Sequence, residues 1–330
     1  MRKEKFPESL QEAILYFAKY ENCHQFICDL RWADGKVTCP RCGSDHVTYL
    51  EKARVWKCYG KHEKPKFSLK VGTIFEDSAI GLDKWLAAVW MIVNCKNGIS
   101  SYEIARGLGV TQKTAWFMDH RIRFALHQGS FETKMGGEGS TVEVDETYIG
   151  GKARNMHAHK RAMRIGDKTG GFGKVAVFGL LERHGKGSRV RTKVIGKFTA
   201  DHLQKEIRAN VAAGSMIYSD ENGAYFTLGD QGDFTHDFVR HAERYVNGNI
   251  HTNGIETFWS LLKRTIGGTY VAVEPFHMLR YLDEQAFRFN EREGNDCDRF
   301  LSAMSGVFGK RLILKVLTGK QEEQTGTEIN

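Results

Sequence analysis

Residues 140–151 read STVEVDETYIGG, and their alternation decides the fold. Val142 and Val144 fall on one face of an extended segment, Glu143 and Asp145 on the other. One face needs a core to cover it; the other carries acid. Downstream, VAVFGLLER (175–183) and RVRTKVIG (189–196) read as two more strands. They flank HGKGS (184–188), whose glycines suit a tight turn, so an antiparallel hairpin is expected. TADHLQKEIRANVAAG (199–214) reads as a helix with Thr199 as N-cap and a terminal glycine, and SMIYSD (215–220) as a short strand. In HTNGIETFWSLLKR (251–264), Ile255, Phe258, Trp259 and Leu262 repeat at helical spacing. Glu256, Ser260 and Lys263 share a neighbouring face. A hairpin followed by alternating strands and helices predicts a mixed α/β sheet.

The chain of 330 residues is long enough for two to three domains, and 41% hydrophobic residues with 11% aromatic can build real cores. A formal charge of +8 and a pI near 9.0 suit a polyanionic partner. The N-terminus lacks the features of a signal peptide, and the longest apolar run, within KWLAAVWMIVNC, is about half a bilayer span. A soluble, cytoplasmic protein is therefore expected. Seven cysteines with one C-x-x-C pair read as reduced thiols and a metal site, not a disulfide frame.

Residues 6–30 suggest two short helices with Leu10, Ile14, Phe17, Phe26, Ile27 and Leu30 buried. VTCPRCGSDHV and VWKCYGKH then give Cys39-x2-Cys42, fifteen residues, and Cys58-x3-His62. Two ligand pairs on two turns describe a zinc ribbon, with His62 replacing a fourth cysteine and His46 as a weaker competitor. So small a segment has little core without a metal. NGISSYEIARGLGVTQKTAWFMDHRIRFAL (97–126) follows, with a helix, a turn near Gly109, and a second helix capped by Thr111. This pattern suits a helix-turn-helix: Gln112, Lys113 and Thr114 lie where recognition residues meet base edges, with Arg121 and Arg123 toward phosphates.

If the strands ending near Asp145 and Asp220 are neighbours, both carboxylates emerge together, and Glu256 on a helix across the sheet completes an acidic triad. Three carboxylates suit Mg²⁺ or Mn²⁺, and two such ions about 4 Å apart support displacement at phosphorus. Glu143, Glu146 and Glu221 stand beside these residues as alternatives. The segment 150–174 carries seven Lys or Arg against one Asp, and Lys160, Arg161 and Arg164 in it are candidates for phosphate contact.

VEVDETYIGGK, YSDENGAY and HTNGIETFWSLLKR together resemble the catalytic core of DDE transposases, closest to bacterial insertion-sequence enzymes with a zinc ribbon ahead of an RNase H-like domain. CPRCG, FSLKVGTIFEDS and ISSYEIARGLGVTQKTAWFM are similar to the same family. The resemblance implies that Asp145, Asp220 and Glu256 bind catalytic metal, with 35 residues between the second and third. It implies that Lys263, with Arg264 beside it, contacts DNA near the scissile phosphate. His251 and Asn253 stand next to the glutamate and are not assigned as ligands. The implied activity is cleavage at element ends and strand transfer into double-stranded target DNA, by at least a dimer and near the bacterial nucleoid. A structure-selective nuclease of the same fold and a non-enzymatic DNA-binding regulator are the rivals.

The expected organisation is a helical segment (1–35), zinc ribbon (36–75), helix-turn-helix (76–128) and linker (129–139). An RNase H-like catalytic domain (140–318) and a flexible tail (319–330) complete it.

Overall fold

The computed structural model describes residues 6–127, 133–151, 157–164, 173–196, 198–239 and 250–319. The chain divides into two compact units, Met1–Leu126 with Gly294–Asn330, and His127–Glu293.

The first unit opens with α1 (Leu10–Phe17) and α2 (Tyr20–Arg31). A Ser9–Glu12 capping box starts α1. Its buried residues are Ala13 and Phe17, so the expected burial of Leu10 and Ile14 fails, and both are exposed. The core selects the face where Ala13 lets the helix approach closely and Phe17 meets Phe26 and Phe300. Strands β1 (Val47–Leu50), β2 (Val55–Cys58) and β3 (Lys66–Phe67) make a small antiparallel sheet. Trp56 anchors it, stacked on His24 and Phe67. Then α3 (Leu82–Asn94), buried along most of its length, forms the unit's spine.

Helices α4 (Ser101–Leu108) and α5 (Gln112–Leu126) follow. Ser100 and Glu103 form a capping box, Gly109 closes α4 in the left-handed region, and Thr111 Oγ1 accepts from the Thr114 amide at 3.2 Å.

In the second unit, β4 (Met135–Gly136) precedes β5 (Thr141–Ile149) and α6 (Ala158–Arg164). The hairpin of β6 (Val175–Glu182) and β7 (Arg189–Ile195) leads to α7 (Ala200–Asn210). Next come β8 (Val211–Ala212), β9 (Met216–Ser219), β10 (Thr235–Phe238), α8 (Asn253–Thr265) and α9 (Met278–Asn290). Residues 211–212, expected as the end of a helix, instead pair in parallel with β4. The main sheet has the order β10-β9-β5-β6-β7. Strands β5, β6 and β7 are antiparallel, while β9 and β10 run parallel to β5 and to each other. This is the mixed α/β, RNase H-like topology.

Alternation on the strands makes two cores. Val142, Val144, Phe178 and Leu180 pack with Leu203 and Ile207 of α7 on one face. Val177, Leu181 and Ile149 pack with Ile255, Phe258, Trp259 and Leu262 of α8, and with α9, on the other.

After Glu293 the chain returns to the first unit as α10 (Asp296–Ser305) and α11 (Leu314–Leu317). Phe300 is fully buried there against Phe17 and Trp90, and the Asn94 side chain holds the backbone of Asp296 and the guanidinium of Arg299. Residues 294–318 thus pack with elements far ahead in sequence, although the expected catalytic segment ran to 318. No described helix is long and apolar enough to cross a membrane.

Candidate active site and metal centre

Parallel pairing of β5 with β9 sets Glu143 opposite Tyr218. Two residues further along each chain stand Asp145 and Asp220, where the strands end their pairing. The two carboxylates interact: burial first, and then the charge of Asp220, push the Asp145 carboxyl up to about 7. The Asp145 carboxylate accepts from the Glu146 amide at 2.8 Å and from the Trp259 indole N–H at 2.9 Å. Asp220 accepts from the Asn222 amide at 3.0 Å, a local turn that fixes its loop.

Helix α8 crosses the acidic face of the sheet. It approaches closely because Gly179 on β6, paired with Asp145 on the neighbouring β5, has no side chain. A Cβ at residue 179 would sit 2.5 Å from Trp259 and 2.9 Å from Ile255. At the helix N-terminus, Thr252 donates its hydroxyl to Glu256 at 2.7 Å, holding the third carboxylate against α8. Among the described residues, the only group of three or more metal-ligating side chains with ligand atoms within 4.8 Å of one another is in the ribbon. Asp145, Asp220 and Glu256 do not form such a group.

The competing acids take different roles. Glu143 is 1% exposed, ion-paired with Arg183 at 2.6 Å, and accepts the Ile255 amide at 2.8 Å. It thereby satisfies the first turn of α8. Gly254 leaves room for it, since a Cβ there would lie 2.9 Å from the carboxylate. Arg183 also donates to the His251 backbone carbonyl and stacks 4.8 Å over Tyr218. Glu146 points to the other face, where Tyr225 and Asn222 donate to it. Burial, with Asp220 nearby, raises its pKa against those hydrogen bonds. Glu221 is exposed. Arg183, Thr252 and Trp259 were not identified as site residues from sequence, and Glu143 was named only as an alternative acid. Only the alternation of β5 pointed toward Glu143.

Lys263 and Arg264 are exposed on the last turns of α8. On α5, Lys113 is exposed, Gln112 donates to Ser101 at 2.9 Å, and Thr114 shares a hydroxyl contact with Thr111. Arg121 is a correction. It is 3% exposed, and its guanidinium donates to the carbonyls of Leu312 and Glu76 at 3.0 and 2.8 Å. It crosslinks the first unit and does not face a phosphate, because the helix turns that side of α5 inward; Arg123 is buried likewise. Arg161 is exposed on α6, while the side chains of Lys160 and Arg164 lie outside the described set. The expected tail beyond residue 319 and residues 129–132 of the expected linker lie outside it too.

In the ribbon, ligand atoms of Cys39, Cys42, Cys58 and His62 lie within 4.8 Å of one another. Cys42 Sγ and Cys58 Sγ are 3.6 Å apart, as are Cys39 Sγ and His62 Nε2. A tetrahedron with metal–sulfur bonds of about 2.3 Å has edges of about 3.8 Å, so the group fits zinc. Burial alone would raise the Cys39 thiol, but amide hydrogen bonds from Arg41 and Cys42 and the neighbouring thiols outweigh it, favouring a thiolate. His46 is outside the cluster and stacks on Tyr59 instead.

Residues 135–290 match the ISXO2-like transposase domain, and residues 20–60 match the transposase zinc-ribbon domain. An uncharacterized protein in transposable element ISH50 of Halobacterium salinarum is 28% identical over 256 residues, covering 75% of this chain and 83% of the relative. These two segments of the chain are thus similar to domains of insertion-sequence transposases, the family that its motifs resemble.

Proposed function

We propose that this chain is a DNA transposase that cuts the ends of an insertion sequence and joins them to target DNA, with Asp145, Asp220 and Glu256 as its catalytic metal ligands. The observation that carries the reading is the pairing of Asp145 with Asp220 under the helix bearing Glu256. One carboxyl of the pair holds its proton to about pH 7, the behaviour of a site that needs a cation. Oxygen donors of this kind suit Mg²⁺ or Mn²⁺, which when bound activate the attacking oxygen and stabilise the leaving one.

The protein's own groups divide the remaining work. Trp259 and the Glu146 amide orient Asp145, Thr252 orients Glu256, and the Glu143–Arg183 pair fixes the helix that carries it. Lys263 and Arg264 take DNA phosphates, and Lys263 lies about 10 Å along the helix from Glu256. Arg161, with Lys160 and Arg164, extends the phosphate contacts. Gln112, Lys113 and Thr114 read the element end, and zinc held by Cys39, Cys42, Cys58 and His62 keeps the ribbon folded. Water opens the end phosphodiester to leave a 3′-hydroxyl, which then attacks a target phosphodiester and displaces its 3′-oxygen. Paired ends call for at least a dimer on DNA.

Strand transfer with purified protein, labelled ends from the flanking inverted repeats and Mg²⁺ or Mn²⁺ tests this. Joined product lost in Asp220→Ala supports it. Cleavage without joining would make the protein a nuclease, and specific binding without either reaction would make it a DNA-binding regulator.

A further inference from the structure

At the end of the sheet where β5 finishes and β6 begins lies a cavity of about 680 Å³ that no role above occupies. Tyr148 and Phe198 wall it, with ring centroids 4.8 Å apart at 59°. Val175, Val194 and Pro275 add apolar surface, and exposed Lys174 stands at its rim. Tyr148 and Val194 belong to opposite faces of the sheet, so the cavity opens where β5 and β6 meet at the sheet's end. Tyr148 is 44% exposed, unusual for an aromatic residue on a central strand. It stands three residues from Asp145 on the opposite face of the sheet, about 10 Å further along the strand.

A strained apolar turn precedes Pro275 of the cavity wall. After α8 the chain makes a wide helical turn through Gly267 and Gly268, and then a γ-turn at Val271 with φ 62° and ψ −56°. The Ala272 amide closes that turn on the Tyr270 carbonyl at 2.6 Å. A β-branched residue is strained in this region, yet Val271 is 76% exposed and recovers nothing by burial. The conformation is imposed from beneath: Tyr270 donates its hydroxyl to Glu284, which is buried and paired with Arg288. Phe276, next to Pro275, is 68% exposed.

We infer that the Tyr148–Phe198 cavity receives one unstacked base of the DNA end, while the Val271–Phe276 tip wedges the duplex open beside it. The chemistry matches on each side. An aromatic wall accepts the face of any base, Lys174 meets the backbone phosphate, and the volume suits one nucleoside. Exposed apolar side chains on a rigid turn are the means by which proteins separate base steps. Lys263 and Arg264, on the helix leading into the tip, supply matching charge for the approaching backbone. This inference rests on the transposase reading.

The test uses the full chain with Ca²⁺, end DNA carrying 2-aminopurine at each of the first four positions about the cleaved bond, and anisotropy to confirm binding. A several-fold fluorescence rise is expected at one position. Tyr148→Ala and Phe198→Ala should abolish it and slow cleavage with Mg²⁺ at least tenfold, and Tyr148→Phe should restore it. An abasic nucleotide at the responding position should rescue cleavage by the alanine variants, which a merely misfolded variant would not permit. Wild-type protein that binds and cuts the end with no rise at any position overturns the cavity's role and leaves the proposed function standing. Failure to bind the end at all overturns the proposed function itself.

Discussion

Replacing Gly179 with alanine is the most demanding perturbation of this site, because it adds one methyl group and touches no charged residue. The new Cβ would lie 2.5 and 2.7 Å from two ring carbons of Trp259, and 2.9 Å from Ile255 Cδ1. Carbon atoms rest about 3.5–4.0 Å apart, so the indole must retreat by about 1 Å. Trp259 is 4% exposed and cannot swing into solvent. Overpacking of this kind costs about 1–3 kcal/mol. The same retreat stretches the 2.9 Å hydrogen bond to Asp145 beyond useful length. A bond to a carboxyl that keeps its proton to about pH 7 contributes about 0.5–1.5 kcal/mol, so the total loss should be about 3 kcal/mol. Urea unfolding followed by indole fluorescence measures it. Trp259→Leu provides the control, since it removes the ring that the methyl group strikes, and Gly179→Ala added to it should cost at most about 1 kcal/mol more. The wild-type background should lose both stability and Mg²⁺-dependent cleavage. Equal effects of Gly179→Ala in the two backgrounds would refute the claim that this glycine exists to admit Trp259.

Asp145→Asn should stabilise the protein while abolishing cleavage. The folded carboxyl keeps its proton to about 7, whereas the unfolded one releases it near 3.8. Between those values the folded state binds more protons, so without Mg²⁺ wild-type stability falls as pH rises from about 4 to about 7, by at most about 4 kcal/mol. The variant should lack that slope, and urea midpoints at pH 5 and 8 will show it. Arg183→Met should cost about 3–5 kcal/mol by leaving Glu143 charged and unpaired in the core, read as a lowered urea midpoint. Lys113→Ala and Arg121→Ala should separate cleanly. The first weakens end binding and lowers its salt slope by about one with an unchanged Tm, and the second lowers Tm because two buried carbonyls lose their donor. Cys58→Ser should lose the zinc found by atomic absorption and melt the ribbon first, whereas His46→Ala should keep its zinc.

Much of the site was legible in the sequence because its parts are local. Alternation in STVEVDETYIGG sent Val142 and Val144 to one core and Asp145 to the opposite face. Ile255, Phe258, Trp259 and Leu262 bury as their spacing required. The knuckle spacing of Cys39 and Cys42 likewise marks a metal site, since a short loop can set two sulfurs side by side. Where local pattern was ambiguous, reading failed. On α1, Leu10 and Ile14 lie one helical step from the face the core selected, and nothing within eight residues tells which face Phe26 and Phe300 will meet. Arg121 has the sequence look of a phosphate ligand, yet its partners are backbone carbonyls 45 and 191 residues away.

The sequence by itself determined the chemistry available to this protein: carboxylates on an extended segment, thiols on a tight turn, basic residues on helices, and the periods that separate core from surface. Tertiary structure decided which of those groups meet. Glu143 and Asp145 are equivalent by alternation. One became the anchor of a helix and the other the partner of Asp220, because β9 pairs in parallel at one register and α8 starts over Glu143. Both choices depend on contacts across 75 to 114 residues, where chain closure leaves many pairings open. The one adopted buries two apolar faces at once and leaves no strand side chain in the way of Trp259.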